Sequence, residues 1–252
     1  MAIHIGIGGW TYEPWRETFY PPGLPKAREL AYVGEHLTAT EVNATFYRRQ
    51  SAASFAKWRD AVPEGFRFAL KGSRYCTNRK DLSEAGESVG NFMAQGLVEL
   101  GDKLGPINWQ LAATKAFDAD EIAAFLALLP QAHEGLRLRH AIEPRHGSFD
   151  DPAFFALCRE AGVAVVLADS AKYPALQAPE AEGGEAPFVY LRLQNARSQL
   201  EQGYPQAELD DWAQRLRGYA EAGREVFAFF INGAKERAPA AAMSLIGRLG
   251  GY

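Results

Sequence analysis

Short apolar runs of strand type alternate with longer stretches of helical period along the whole chain, and no other feature of the sequence constrains its fold as strongly. Strands are expected over Ile3 to Gly8, Ala39 to Asn43, Phe66 to Lys71, Ile107 to Leu111, Leu138 to Glu143, Val163 to Asp169, Phe188 to Leu193 and Val226 to Asn232. Helical patterns fit between them over Pro25 to His36, Ser51 to Ala61, Ser83 to Leu104, Asp120 to Leu129, Asp151 to Ala161, Ala207 to Ala222 and Ala234 to Leu249. Ser51, Ser83 and Asp151 stand where N-caps belong, and Pro152 follows Asp151 at the first helical position.

Eight such strands in series predict one parallel sheet closed on itself, an α/β fold of the (β/α)8 TIM-like barrel type. A chain of 252 residues suits a single domain of that kind, 1–252. The rival is an open doubly wound sheet. It lacks its usual phosphate loop, because Gly6, Gly8 and Gly9 do not have the GxGxxG spacing and no helix follows them directly. Ser170 to Pro187 has no apolar period and carries Pro174, Pro179, Gly183, Gly184 and Pro187. A long irregular loop is therefore expected after the sixth strand in place of a helix.

Side chains alternate across a strand, so each strand divides into two phases. Ile3, Ile5 and Ile7, Phe66, Phe68 and Leu70, and Val189, Leu191 and Leu193 form wholly apolar phases that should face the helices. The opposite phases hold His4, Gly6 and Gly8; Arg67, Ala69 and Lys71; and Tyr190 and Arg192. By the same logic Glu41 with Asn43, Asn108 with Gln110, Ala141 with Glu143, and Ala228 with Asn232 point into the barrel. Catalytic and binding groups of such barrels come from the C-terminal strand ends and the loops after them. Asn43, Lys71, Gln110, Glu143, Asp169, Arg192 and Asn232 gather there. Two readings of these charges stay open: a working site, or a network in which inward Lys, Arg, Glu and Asp neutralise one another.

The loops after the first two strands add aromatic surface, with Trp10, Tyr12 and Trp15 in one and Phe46 and Tyr47 in the other. They could wall a planar or sugar-like ligand, or, with Phe19 and Tyr20, cover the barrel end. Glu143-Pro144-Arg145-His146 places a base, an anion grip and a proton carrier within four residues. Glu143, His146 and Asp169 could alternatively bind a metal, but no HxH or HExxH spacing accompanies them, and neither metal nor cofactor is expected. There is no GxSxG elbow or P-loop, and Cys76 has no assignable His partner.

Composition narrows the partners. With 47% hydrophobic residues the chain is globular, and a net charge of −4 gives no global field drawing it to nucleic acid or an anionic membrane. The N-terminus shows no basic region followed by a long apolar stretch, and two cysteines make no disulfide framework, so a cytoplasmic location without a membrane partner is expected.

Taken together, Gly8-Gly9-Trp10-Thr11-Tyr12 to Trp15, Phe19-Tyr20-Pro21, Glu41 through Arg48, Phe68-Ala69-Leu70-Lys71, Glu143-Pro144-Arg145-His146 and Tyr190-Leu191-Arg192 resemble the DUF72, or YecE-like, family across essentially the whole chain. The resemblance implies a TIM-like barrel and supplies no reaction. It also implies the mouth residues Trp10, Tyr12, Glu41, Asn43, Phe46, Tyr47, Lys71, Glu143, Arg145, His146, Asp169 and Arg192. Gly8 departs from the Ser usual in that pattern, and Phe230-Ile231-Asn232-Gly233 replaces a Phe-Asn-Asn type ending.

Three functions compete. The first is an enzyme acting on a small polar, anionic or sugar-like molecule without a metal. In it Glu143, Lys71, His146 and Asp169 serve as acid/base and charge-handling groups, and Trp10, Tyr12, Glu41, Asn43, Phe46, Tyr47, Gln110, Arg145, Arg192 and Asn232 bind the ligand. The second is nucleic-acid binding or processing, by fold analogy with endonuclease-IV-like barrels, using Arg48, Arg49, Arg74, Arg79 and Lys80 with Phe46, Tyr47 and Tyr75. The third is a binding module without turnover.

Overall fold

A computed structural model describes residues 2–173, 176, 188–231 and 233–250. Nine strands form one parallel sheet: β1 (Ile3–Gly8), β2 (Ala39–Val42), β3 (Arg67–Lys71), β4 (Leu104–Gln110), β5 (His140–Glu143), β6 (Ala164–Val165), β7 (Leu167–Asp169), β8 (Phe188–Leu193) and β9 (Glu225–Phe230). Their order in space is β6-β5-β4-β3-β2-β1-β9-β8-β7. The two outermost strands of that order are separated in the chain by Val166 alone. β6 pairs with β5 and β7 with β8, while the Val166 amide donates to the Ile142 carbonyl at 2.9 Å. One strand, broken at Val166, thus joins both ends, and the sheet comes round as a nearly closed barrel.

Helices α1 (Glu29–His36), α2 (Ala52–Asp60), α3 (Gly86–Met93), α4 (Ala119–Ala127), α5 (Pro152–Glu160), α6 (Gln206–Glu221) and α7 (Ala238–Leu249) accompany the strands. Ser51 and Asp151 cap α2 and α5 as their positions predict. The helix expected over Ser83 to Leu104 is interrupted. Gly96 and Gly101 take left-handed φ of 90° and 52°, which a continuous helix does not allow, and β4 begins earlier than expected, at Leu104. The long loop expected over Ser170 to Pro187 lies outside the described residues from 174 onward, Leu176 excepted.

Two apolar layers result. Outside the sheet, Ile3, Ile5, Ile7, Phe68, Leu70, Val189, Leu191 and Leu193 pack with the helices in the main core. Inside, Phe188, Tyr190, Phe227 and Phe229 from the adjacent β8 and β9 fill the barrel against Ala39, Ala69, Ala141 and Ala164 from β2, β3, β5 and β6. Large residues from one wall meet small ones from the other, the complementarity that close packing of an interior requires. This corrects the phase expected for the last strand: Ala228 faces the helices, and Phe227, Phe229 and Ile231 face inward. Beyond Glu225 both phases of β9 are apolar, so alternation carried no sign there. Asn232 lies outside the described residues.

Candidate functional site

Above the aromatic filling, the inward phases of β2, β3, β4, β5 and β8 turn polar at the C-terminal end, and their side chains meet on Arg192. Its Nε and Nη2 donate to the two oxygens of Glu41 at 3.1 and 3.0 Å, and its Nη1 donates to both oxygens of Glu143 at 2.8 and 2.7 Å. Tyr190 donates its hydroxyl to Glu41 at 2.7 Å. Glu143 also accepts from Asn108 at 3.1 Å, Gln110 at 2.8 Å and Arg145 Nε at 3.0 Å. Arg145 in turn donates to the Tyr173 hydroxyl and stacks 4.2 Å above its ring. Glu41, Glu143 and Arg192 are all buried. Two carboxylates here face two guanidiniums, so their formal charges cancel.

Burial alone would raise the Glu143 pKa, but Arg192, Arg145, Gln110 and Asn108 outweigh it and hold the group at about 2. A carboxylate so saturated is a fixed charge and not a free base at neutral pH. Lys71 differs from its neighbours. Its Nζ donates to Gln110 Oε1 at 3.0 Å and lies 4.1 Å from the centre of the Phe46 ring. Among the described residues no carboxylate lies within ion-pair distance of it. Burial, reinforced by the nearby Arg192, lowers its pKa to about 8. Beside it, the buried Asn108 Oδ1 has no hydrogen-bond partner among the described residues.

The family model described as "Protein of unknown function DUF72" matches residues 4–252. The chain belongs to the DUF72 family. The UPF0759 protein YunF of Bacillus subtilis is 24% identical over 261 residues, spanning 91% of this chain and 88% of its own length. A solved DUF72 structure from Thermotoga maritima superposes with a TM-score of 0.79 at 22% identity, covering 99% of both chains. SacUVDE, at a TM-score of 0.61 and 12% identity, covers 99% of this chain and all of its own. At these identities the two structures show the fold, a TIM-like barrel, and no more.

The DUF72-type motifs therefore converge only in part. Glu41, Lys71, Glu143, Arg145 and Arg192, with Gln110, form one connected cluster, and Phe46 lies against Lys71. His146 forms no hydrogen bond or ion pair with this cluster among the described residues: its Nδ1 accepts from the Ser148 amide at 3.2 Å and caps a single 3-10 turn. Asp169 accepts from Asn195 and, at 3.2 Å, from Tyr204, and burial raises its pKa. No group of three His, Cys, Asp or Glu that could hold a metal occurs among the described residues. Cys76 is buried, which pushes its thiol up to about 12 and removes it as a nucleophile.

The aromatic wall is also divided. Trp10 packs edge-on against Trp58, and Tyr12 against the buried Trp15, whereas Tyr47 is 59% exposed. Trp15 and Tyr20 are buried in the main core. Asn43 packs over Gly8, where a Cβ would meet its Nδ2 at 3.1 Å. Tyr173, the outer partner of Arg145, was missed; it lies in a stretch with no period and had no signal to find it by.

Proposed function

We propose that this protein binds a small anionic molecule at the C-terminal mouth of the barrel, with Lys71 meeting its charge. The observation that carries the reading is a buried ammonium with no carboxylate within ion-pair distance among the described residues, set beside an arginine–glutamate cluster already neutral by itself. Burying an unpaired charge is costly, and an anionic ligand offsets that cost. Sugar-like hydroxyls would find a ready acceptor in Asn108 Oδ1. For acid/base chemistry, burial moves the pKa of Lys71 down and that of Asp169 up, while its arginine partners hold Glu143 low, which supports the first two over the third. The two free, buried cysteines and the acidic composition fit a cytoplasmic protein.

Calorimetric titration with acetate, inorganic phosphate and glucose tests the reading. The two anions should bind and glucose should not compete with them, and Lys71→Met should weaken anion binding by about tenfold or more, the scale of one lost charged contact. Equal anion binding by the folded Lys71→Met variant would sink it.

A second reading has an observation of its own. Tyr47 and Tyr75 are 59% and 62% exposed, and Tyr75 joins a cleft lined by Arg49 to another lined by Arg74, Arg79 and Lys80. Cations beside exposed rings suit single-stranded nucleic acid. Binding of a labelled oligonucleotide that weakens steeply with salt would favour this rim; none at low salt would dispose of it.

A further inference from the structure

The inward row of β3 carries a cation at each end: Lys71 at the mouth, and Arg67 at the start of the strand, roughly 13 Å away along it. Arg67 lines a separate cavity of about 450 Å³ at the N-terminal end of the barrel, where β1, β2 and β3 begin beside α1. Small-molecule sites have volumes of roughly 300–1,000 Å³, so the space suffices for one. Its walls are largely apolar, with Ile3, Leu37, Pro63 and Phe66 among them. Close packing fixes one side: a Cβ on Gly34 would meet Pro63 Cδ at 2.9 Å and Val62 at 3.1 Å, so α1 is pressed against the turn before β3.

The polar side chains of the lining are committed elsewhere, save one. His4 Nε2 lies 2.9 Å from Glu225 Oε1, and the Thr38 hydroxyl donates to the Ile5 carbonyl at 3.2 Å. Glu64 stands 3.5 Å from the Lys103 ammonium with its side chain 95% exposed. Glu225 is shared between His4 and Arg139. Among the described residues no carboxylate lies within ion-pair distance of Arg67, and its side chain makes one hydrogen bond, from Nη1 to the Phe66 carbonyl at 3.2 Å. A half-buried guanidinium thus keeps most of its five N–H groups for something outside the chain.

We infer that this cavity is a second binding site, which takes a carboxylic acid with an apolar chain or ring, the carboxylate on Arg67 and the body against Ile3, Leu37 and Phe66. Guanidinium and carboxylate match as planar, bidentate partners, and covering the apolar walls adds the hydrophobic share of the affinity. The site stands apart from the mouth and does not depend on what binds there. Its ligand stabilises the folded chain by mass action and takes no part in chemistry at the other end.

The test is calorimetric titration of the full chain at neutral pH with octanoate, acetate and octylamine. Octanoate should bind about tenfold or more tighter than acetate, which lacks the body, and octylamine, which reverses the charge, should not bind. Arg67→Met should weaken octanoate binding about tenfold, the scale of one charged contact, and Arg67→Lys should restore part of the loss. On the native chain, nuclear Overhauser contacts should join octanoate to the methyl groups of Ile3 and Leu37, which keeps the inference testable should the variants fail to fold. Octanoate that does not bind, that binds folded Arg67→Met as well as the native chain, or that touches the Phe46 ring at the mouth in place of Ile3 and Leu37 would overturn it. Octylamine binding as tightly as octanoate would do the same.

Discussion

A lysine with a pKa near 8 changes charge close to neutral pH, and Lys71 owes that value to burial and to Arg192. Anion binding needs its protonated form. Affinity should therefore fall as pH rises through about 8, and a bound anion should move the titration of Lys71 upward, which calorimetry across pH and NMR of the lysine side chains would register. Glu143 works in the opposite sense. Its folded pKa of about 2 lies below the ordinary 4.5, so its contribution to stability is fully present above 4.5 and is lost as pH falls toward 2. Glu143→Gln leaves the buried Arg192 with Glu41 alone and Arg145 without a carboxylate, and should destabilise the fold by about 3–5 kcal/mol, read from urea unfolding. Gly8 shows how closely this region is fitted. A side chain there would meet Asn43 at 3.1 Å and Ile231 at 3.3 Å. The two positions at which the chain departs from the DUF72 pattern, Gly8 and the segment holding Ile231, thus touch each other.

At the scale of elements, the sequence was readable where a strand has one polar and one apolar phase. The inward turn of Lys71 and of Arg192 follows from the apolar Phe66-Phe68-Leu70 and Val189-Leu191-Leu193 rows, and the structure has both. Reading failed where both phases are apolar, as in β9, and where a local backbone feature decides, as at Gly96 and at the break after Val165. The cluster's members were legible as strand ends, but their pairing was not, because which carboxylate an arginine takes depends on register between distant strands. That Glu143 is saturated and Lys71 left over follows only from that pairing. The outer face of the barrel holds a comparable case. Trp109 donates its indole N–H to His140 Nδ1 at 3.1 Å, and His140 Nε2 faces the Pro130 carbonyl at 2.8 Å. This arrangement requires a neutral ring with its proton on Nε2, and burial lowers its pKa. Nitrogen NMR should find the neutral His140 in that tautomer, with its titration displaced below the ordinary histidine value.

Over the whole molecule, charge is sorted by depth. The chain carries a net −4, yet the buried Lys71 rests on the Phe46 ring at the mouth and the half-buried Lys235 on that of Tyr12. A negative exterior around a positive recess favours ligands small enough to enter it, and salt should weaken their binding less than that of surface-bound polyanions. The opposite end is closed by an ion cluster of another kind, with Glu225 between His4 and Arg139. By the general division of such barrels that end serves stability and the other end chemistry. The ring between them is fastened at Val166, where one short strand belongs to the β5 side and the next to the β8 side. A chain cut at this residue divides into two pieces, each keeping an unbroken run of paired strands: β1 to β6 in one and β7 to β9 in the other. The two pieces would meet again along β1 and β9, which pair in parallel register from Ile3 with Val226 to Ile7 with Phe230.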